Sequence, residues 1–346
     1  QRAHLPAERY EILNRDWKSM VDLFREENVP LETEESKLGQ QYQEKMGALT
    51  VEFQGEEKTL VQMGVYLQET DRTVRQTAWE LVANRRLEVA EECDRQFDEL
   101  KGLRIQIAGN AGYGDYRDFK HTAKGRFDYQ PEDCFKFHEA VEKVVMPAYN
   151  ELLADRRSKL DLDKLRPWDI SVDPDGLEPL KPFREVEDMV AKTKGIFDHV
   201  DDELAAGFQT MRDQSLLDLA NRKGKAPGGY QSSLPEARLP FIFMNAVGLQ
   251  RDVETLLHEA GHAFHTLAAQ GEDIHEYQHA PLEFCEVASM SMELVGNEHL
   301  EEFYSSEDCV RARQQHLEGI ISLFPLIATV DAFQHWIYTH PTHNVE

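Results

Sequence analysis

Between Val253 and Phe264 the chain reads VETLLHEAGHAF, and this stretch constrains the fold more than any other. Val253, Leu256, Leu257, Ala260, Gly261, Ala263 and Phe264 make a helix here almost wholly apolar, so it must be buried. A buried imidazole or carboxylate needs a partner, and the stretch carries His258, Glu259 and His262. The two histidines stand four residues apart, on one face of a helix, where they can reach one ion. Glu259 is placed to contact water held by the same ion, the position of a general base.

With 14 His in 346 residues, HExxH arises by chance in roughly six of a hundred shuffled chains, so the motif carries weight through its apolar setting. Two imidazoles suit Zn2+, one per chain, and a catalytic zinc takes a third protein ligand and keeps an open position. A third histidine in the pattern HExxHxxGxxH would fall at Ala268, with His265 at the glycine position, so that class is excluded. The alternative is a glutamate from a following helix, and LEFCEVASMSMELVGNEHL (282–300) offers Glu283, Glu286 and Glu293. Glu286 is taken as the ligand; Glu293, two turns further on the same face, and His265 are taken to support the ligands. His275 and His279 lie in the connecting loop and are read as solvated. In this scheme the metal acidifies a water toward a pKa of about 7, and Glu259 takes its proton and later hands it to the leaving amine.

Composition narrows the partners. A formal charge of −26, from 64 acidic against 38 basic residues, repels phosphate backbones and anionic membrane surfaces, so neither nucleic acid nor membrane is expected. Cys93, Cys134, Cys285 and Cys309 form no CxxC pair, which fits a reducing cytoplasm. No run of about 18 apolar residues is recognised, and QRAHLPAERY lacks an apolar signal core.

Most of the chain has helical periodicity: a first helix after Pro6, one long helix over 70–105, and others over 131–156, 183–222, 251–269, 282–299 and 307–338. LTVEF (49–53) and the QGEEKTL after it read as a hairpin, 107–119 as a turn, and 224–245 as the most strand-like part. PWDISVDPDGLEPLKP (167–182) is the candidate linker, dividing a helical lobe, 1–180, from a zinc-binding region, 181–346.

HEAGHAFH (258–265), EVAS (286–289), GKAPGGY (224–230), PFIFMN (240–245) and DAFQHWIY (331–338) together resemble the thimet oligopeptidase and oligoendopeptidase F group of zinc metallopeptidases, more closely its oligoendopeptidase F branch. The resemblance implies a mostly helical, two-lobed zincin-type fold with a small β element beside the HExxH helix and the active site in a deep channel. It implies a metalloendopeptidase acting on short peptides. The segment from Phe241 to Gly248, with Phe243 and Asn245, would form an edge strand of the cleft to which peptide backbone adds, and Gly228 and Gly229 would permit close approach to it. Family members also carry a later helical segment whose His and Tyr residues stabilise the oxyanion. Tyr338 and His340 lie too early to match it, so the chain is expected to be truncated at its C-terminal end. The alternative reading is a non-catalytic peptide-binding protein with a structural or empty metal site.

Overall fold

The computed structural model describes residues 6–343. In chain order the helices are α1 (Ala7–Leu23), α2 (Asn28–Ala48), α3 (Arg72–Leu87), α4 (Ala90–Asn110), α5 (Tyr116–Ala123), α6 (Pro131–Ala140), α7 (Met146–Lys159), α8 (Val186–Val200), α9 (Asp202–Asp213), α10 (Gln250–Ala268), α11 (Leu282–Gly296) and α12 (Ser306–Thr339). The strands are β1 (Thr50–Phe53), β2 (Glu56–Thr59), β3 (Leu217–Ala220), β4 (Tyr230–Leu234) and β5 (Leu239–Ala246). The expected mostly helical fold, with a small sheet beside the HExxH helix, is what these residues form. By contacts the chain divides into two units, Gln1–Tyr42 with Ala90–Asn150 and Ile320–Glu346, and Gln43–Val89 with Glu151–Gly319.

The first unit is centred on Ile107 and Ala108 of α4, Tyr116 and Phe119 of α5, and Ile337 and Tyr338 of α12. Arg104 is tied across this core, with Nε donating to Glu35 Oε1 at 2.7 Å and Nη1 to the Tyr338 hydroxyl at 2.5 Å. The expected turn at 107–119 is shorter than the sequence suggested. Helix α4 runs on to Asn110, Gly112 reverses the chain at φ +86°, and Asp115 caps α5 by accepting from the Asp118 N–H at 2.9 Å.

In the second unit the β1–β2 hairpin forms as expected, turning at Gln54 and Gly55, and closes over Met63 and Ala78. Three expectations are corrected. The long helix over 70–105 is two, because the Glu88 and Val89 N–H groups bond back to Asn84 and Arg86 and end α3. The helix over 183–222 is two, α8 and α9, parted at extended Asp201, and α9 stops at Asp213, where the chain turns through Ser215 at φ +57° into β3. The stretch 167–182 is no linker: Asp169 is fully buried, its carboxylate accepts from Arg72 Nε at 2.9 Å, Arg72 Nη2 at 2.8 Å and Arg75 Nη2 at 3.1 Å, and Trp168 packs on Trp79. The division at residue 180 is therefore not the one the contacts make.

The main sheet has the order β3-β5-β4, with β5 parallel to β3 and antiparallel to β4. The expectation of an edge strand at Phe241–Gly248 is thus overturned. Strand β5 carries PFIFMN, apolar on both faces, and such a strand is stable only when covered on both sides. The outer strands are β3 and β4, and the residues of β4 alternate between half-buried and exposed. Beneath the sheet, α8, α9 and α10 pack Phe197, Phe208, Ile242, Met244, Leu256 and Leu257 into one core with Leu300 and Ala312.

Helix α12 also corrects an expectation. It is long and apolar enough, by length and composition, to cross a membrane, because Asp331, Gln334 and His335 are spaced within otherwise apolar residues. Little of that stretch is buried, and Phe324, Leu326, Ile327, Phe333 and Trp336 are exposed.

Candidate metal centre

Helix α10 starts from a well-made cap. The Asp252 carboxylate accepts from the backbone N–H groups of Val247, Gly248 and Leu249 at 2.7, 2.8 and 2.9 Å, satisfying donors that a helix start leaves orphaned. Val253, Leu256, Leu257, Ala260 and Ala263 then bury one face completely, and that fixes the rotation of the helix. His258 and His262 are carried on its half-buried side, and their rings lie 5.0 Å apart.

The third ligand candidate is delivered by close packing. A Cβ at Gly261 would lie 2.6 Å from Ser289 Cα and 2.7 Å from the Ala288 carbonyl oxygen, so only glycine lets the α10 and α11 backbones approach this far. A Cβ at Gly296 would lie 2.8 Å from the Leu257 side chain, which, unlike main chain, can shift. Glu286, one turn before Ser289, thereby reaches the histidines: its Oε2 lies 3.1 Å from His258 Nε2 and 3.7 Å from His262 Nε2. Ligand atoms of the three residues all lie within 4.8 Å of one another. Four ligands around one zinc with bonds of about 2.1 Å stand about 3.4 Å apart, and the 3.1 and 3.7 Å separations of Glu286 from the two imidazoles fit that ion. The Ser289 hydroxyl donates to Glu286 Oε2 at 2.8 Å and holds the carboxylate in place, although the Glu286 side chain is exposed on its other side.

Behind the ligands is a chain of polar contacts. His258 Nδ1 lies 2.6 Å from Glu293 Oε1, and Glu293 Oε2 lies 2.7 Å from His316 Nε2. A carboxylate only accepts, so His258 carries a proton on Nδ1, and Nε2 is the nitrogen turned toward Glu286. His316 in turn meets the Asn297 side chain at 2.6 Å. Glu293 therefore stands where the sequence spacing put it. His316 was not foreseen: it is 23 residues away on another helix, and no motif marks it.

The electrostatics act differently on the two imidazoles and on Glu259. Burial holds the His262 imidazole below its ordinary pKa, so it stays neutral. Burial lowers His258 too, but Glu293 outweighs that and raises it. Glu259 is only 6% exposed, and burial pushes its carboxyl up to about 6, aided by Glu286 and Glu293 and opposed by His258 and the Gln231 backbone N–H. His265 faces the same region and weakly lowers His262, but it is not in the ligand group. His275 and His279 pack on each other beyond the end of α10 and are not in that group either.

The residues expected to touch a peptide are placed otherwise. Asn245 is buried and fully committed, with Nδ2 donating to the Ala226 and Gly228 carbonyls at 2.9 Å and Oδ1 accepting from Asn221 at 2.9 Å. Phe243 lies under Tyr230, their rings 4.9 Å apart and nearly parallel, with Lys225 Nζ 4.4 Å from its centroid. Both therefore build the loop 224–229 and do not line the site, as central-strand positions would predict. Gly228 has φ +96°, which accounts for that glycine, and a Cβ at Gly229 would press on Thr255 at 3.2 Å. Buried Lys225 was also missed; its Nζ donates to the Asp218 and Ala220 carbonyls at 2.9 and 3.0 Å and to Asp218 Oδ1 at 3.0 Å. Tyr338 belongs to the other unit, where its hydroxyl meets Arg104.

A sequence profile described as Peptidase family M3 matches residues 65–346. A curated relative, the chromosomal oligoendopeptidase F of Lactococcus lactis subsp. cremoris, is 21% identical over 238 residues, covering 68% of this chain and 38% of that protein. Among solved structures, a Bacillus anthracis str. Ames protein assigned as an oligoendopeptidase F superposes with a TM-score of 0.94 at 30% identity, covering 99% of this chain and 64% of that one. A structure of PZ peptidase A with an inhibitor superposes with a TM-score of 0.93 at 29% identity, covering 97% and 59%. The chain thus spans less than two thirds of the length of each of these relatives.

Proposed function

The chain belongs to peptidase family M3, and on that premise we propose that it carries the catalytic centre of a zinc-dependent oligopeptidase that hydrolyses short peptides, with Glu259 as the general base. One observation carries this reading: two imidazoles and one carboxylate converge at ligand spacing beside a buried glutamate. His258, His262 and Glu286 would hold the zinc. Bound there, the ion would polarise the scissile carbonyl and acidify water.

The chain's own residues do the rest. Glu293 fixes the tautomer and the ring orientation of His258, and Ser289 aims Glu286. The Glu259 carboxylate, with a pKa near 6, can take a proton at neutral pH and return it to a leaving amine, which a carboxylate of ordinary acidity does poorly.

Strand β4 is the surface on which a peptide would lie. Ile242 N–H goes to the Leu216 carbonyl on the β3 side, so the opposed residue Gln231 turns its own N–H away from β5, toward Glu259. An extended peptide added to this edge would bring its backbone past the base.

Replacing Glu259 by Gln should cut cleavage of a fluorogenic peptide by at least about a hundredfold while zinc stays bound to the two histidines and Glu286. Undiminished turnover in that variant, or in protein stripped of metal, would sink the proposal.

A further inference from the structure

A second convergence of metal-binding side chains lies in the first unit, whereas the residues assigned above belong to the second. Helix α6 carries Cys134 and His138, four residues apart and so on one face; α12 carries Asp331 and His335 at the same spacing. The two faces meet. Cys134 Sγ, an Asp331 carboxylate oxygen and a ring nitrogen of His335 all lie within 4.8 Å of one another, the same closeness found among His258, His262 and Glu286. His138 Nε2 lies 2.8 Å from Asp331 Oδ2, and His335 Nε2 lies 3.4 Å from that oxygen.

The spacing within the cluster is that of ligands on one ion: His335 is only 8% exposed, and its Nε2 stands 3.4 Å from Asp331 Oδ2, the separation of two ligands on one zinc. Phe135 stands edge-on to the His335 ring at 4.9 Å and gives the cluster an apolar wall.

We infer that Cys134, Asp331 and His335 form a second metal site, for a zinc-class divalent ion, with His138 orienting Asp331 or completing the coordination. The donor set decides the class: a thiolate with imidazole and carboxylate selects zinc and its neighbours over calcium or magnesium, which take oxygen ligands. The charges balance as well. One thiolate and one carboxylate neutralise a divalent ion, and the Asp133 carboxylate near the thiol works against the charges of Arg117 and Arg126, which reach His335 and Cys134. Binding releases the Cys134 proton to solvent and forms a metal–sulfur bond without any redox change. The ion would clamp α6 to a helix far along the chain, a structural role separate from hydrolysis.

Cobalt substitution tests this directly, because the His258, His262 and Glu286 set contains no sulfur. Metal-stripped protein titrated with Co2+ should bind two ions per chain and develop a near-ultraviolet thiolate-to-cobalt charge-transfer band. Cys134→Ser should lose the band and one of the two ions and keep peptide cleavage; His258→Ala should keep the band and lose the other ion. His335→Gln should weaken the band-forming ion at least tenfold, checking the site where the cysteine variant folds poorly. One ion per chain with no band in the unaltered protein overturns the inference. So does a band that survives Cys134→Ser and disappears in Cys285→Ser. Failure of the catalytic proposal would leave both the band and its loss in Cys134→Ser unchanged.

Discussion

Gly261 on α10 and Ser289 on α11 touch backbone to backbone, with 2.6 Å between the place of a β-carbon at 261 and the Ser289 Cα. Main chain cannot swing aside as a side chain can, so a methyl group there must push α11 away and carry Glu286 with it. Gly261→Ala should destabilise the fold by about 1–3 kcal/mol, as overpacking does. It should also weaken zinc at the HExxH site by an order of magnitude or more, although no ligand is changed. Competition with a zinc chelator measures this, and unchanged affinity would mean the approach of the helices does not set the ligand geometry.

Glu293 stands between two imidazoles and has no other visible task. Glu293→Gln keeps the shape but can offer a donor where His258 Nδ1–H needs an acceptor. Supporting contacts of this kind typically set metal affinity within about 10–100-fold, and a loss of that size is expected here. His316→Ala should give a smaller loss, since it acts on His258 only through Glu293. If the two variants rank the other way in chelator titration, the relay is misassigned.

Legibility in the sequence followed the range of the interactions. His258, Glu259 and His262 sit within five residues on an apolar helix, so period and burial alone disclosed them, and Glu286 and Glu293 followed from the next helix. What the sequence concealed is set by contacts between distant segments. Gly261 looked like one more small apolar residue, His316 carried no signal of its own, and Asp169 with Pro167 looked like a linker, although Arg72 and Arg75 bind that carboxylate. PFIFMN was correctly strand-like, but its alternation could not say whether β5 was central or at an edge; pairing with β3 decided that. Helix α12 was read to within a residue or two at each end, across Pro325, because its apolar periodicity is continuous.

Asp218 gives a pH signature. The Arg222 guanidinium and the Lys225 ammonium hold its carboxyl down at about 2, against 3.8 ordinarily, with burial opposing them. A folded-state pKa below the unfolded one means the unfolded chain takes up the proton first. Stabilisation from this group is therefore complete above about pH 4 and is lost as pH falls toward 2. Asp218→Asn should be less stable than the unaltered protein at pH 5 to 7, with the gap narrowing below pH 4. Urea midpoints measured across that range check it; a constant gap would mean the ion pairs are not what Asp218 contributes.

The edge of β4 yields the prediction most specific to peptide recognition. Ser233 opposes Pro240, which has no N–H to give, and Ser233 shares the parity of Gln231, so its N–H also points away from β5. Proline at 233 removes that donor without touching the ladder to β5, and an edge position is where a strand tolerates proline. It also removes the Ser233 hydroxyl, which lies 3.0 Å from Thr266 Oγ1, so Ser233→Ala serves as the control for that loss. A single lost backbone hydrogen bond costs about 1–1.5 kcal/mol, roughly tenfold in binding. Ser233→Pro should therefore raise KM for an extended peptide about tenfold relative to Ser233→Ala, with zinc content unchanged in both. Equal KM values in the two variants would remove β4 as the docking edge and leave the zinc site without an assigned peptide path.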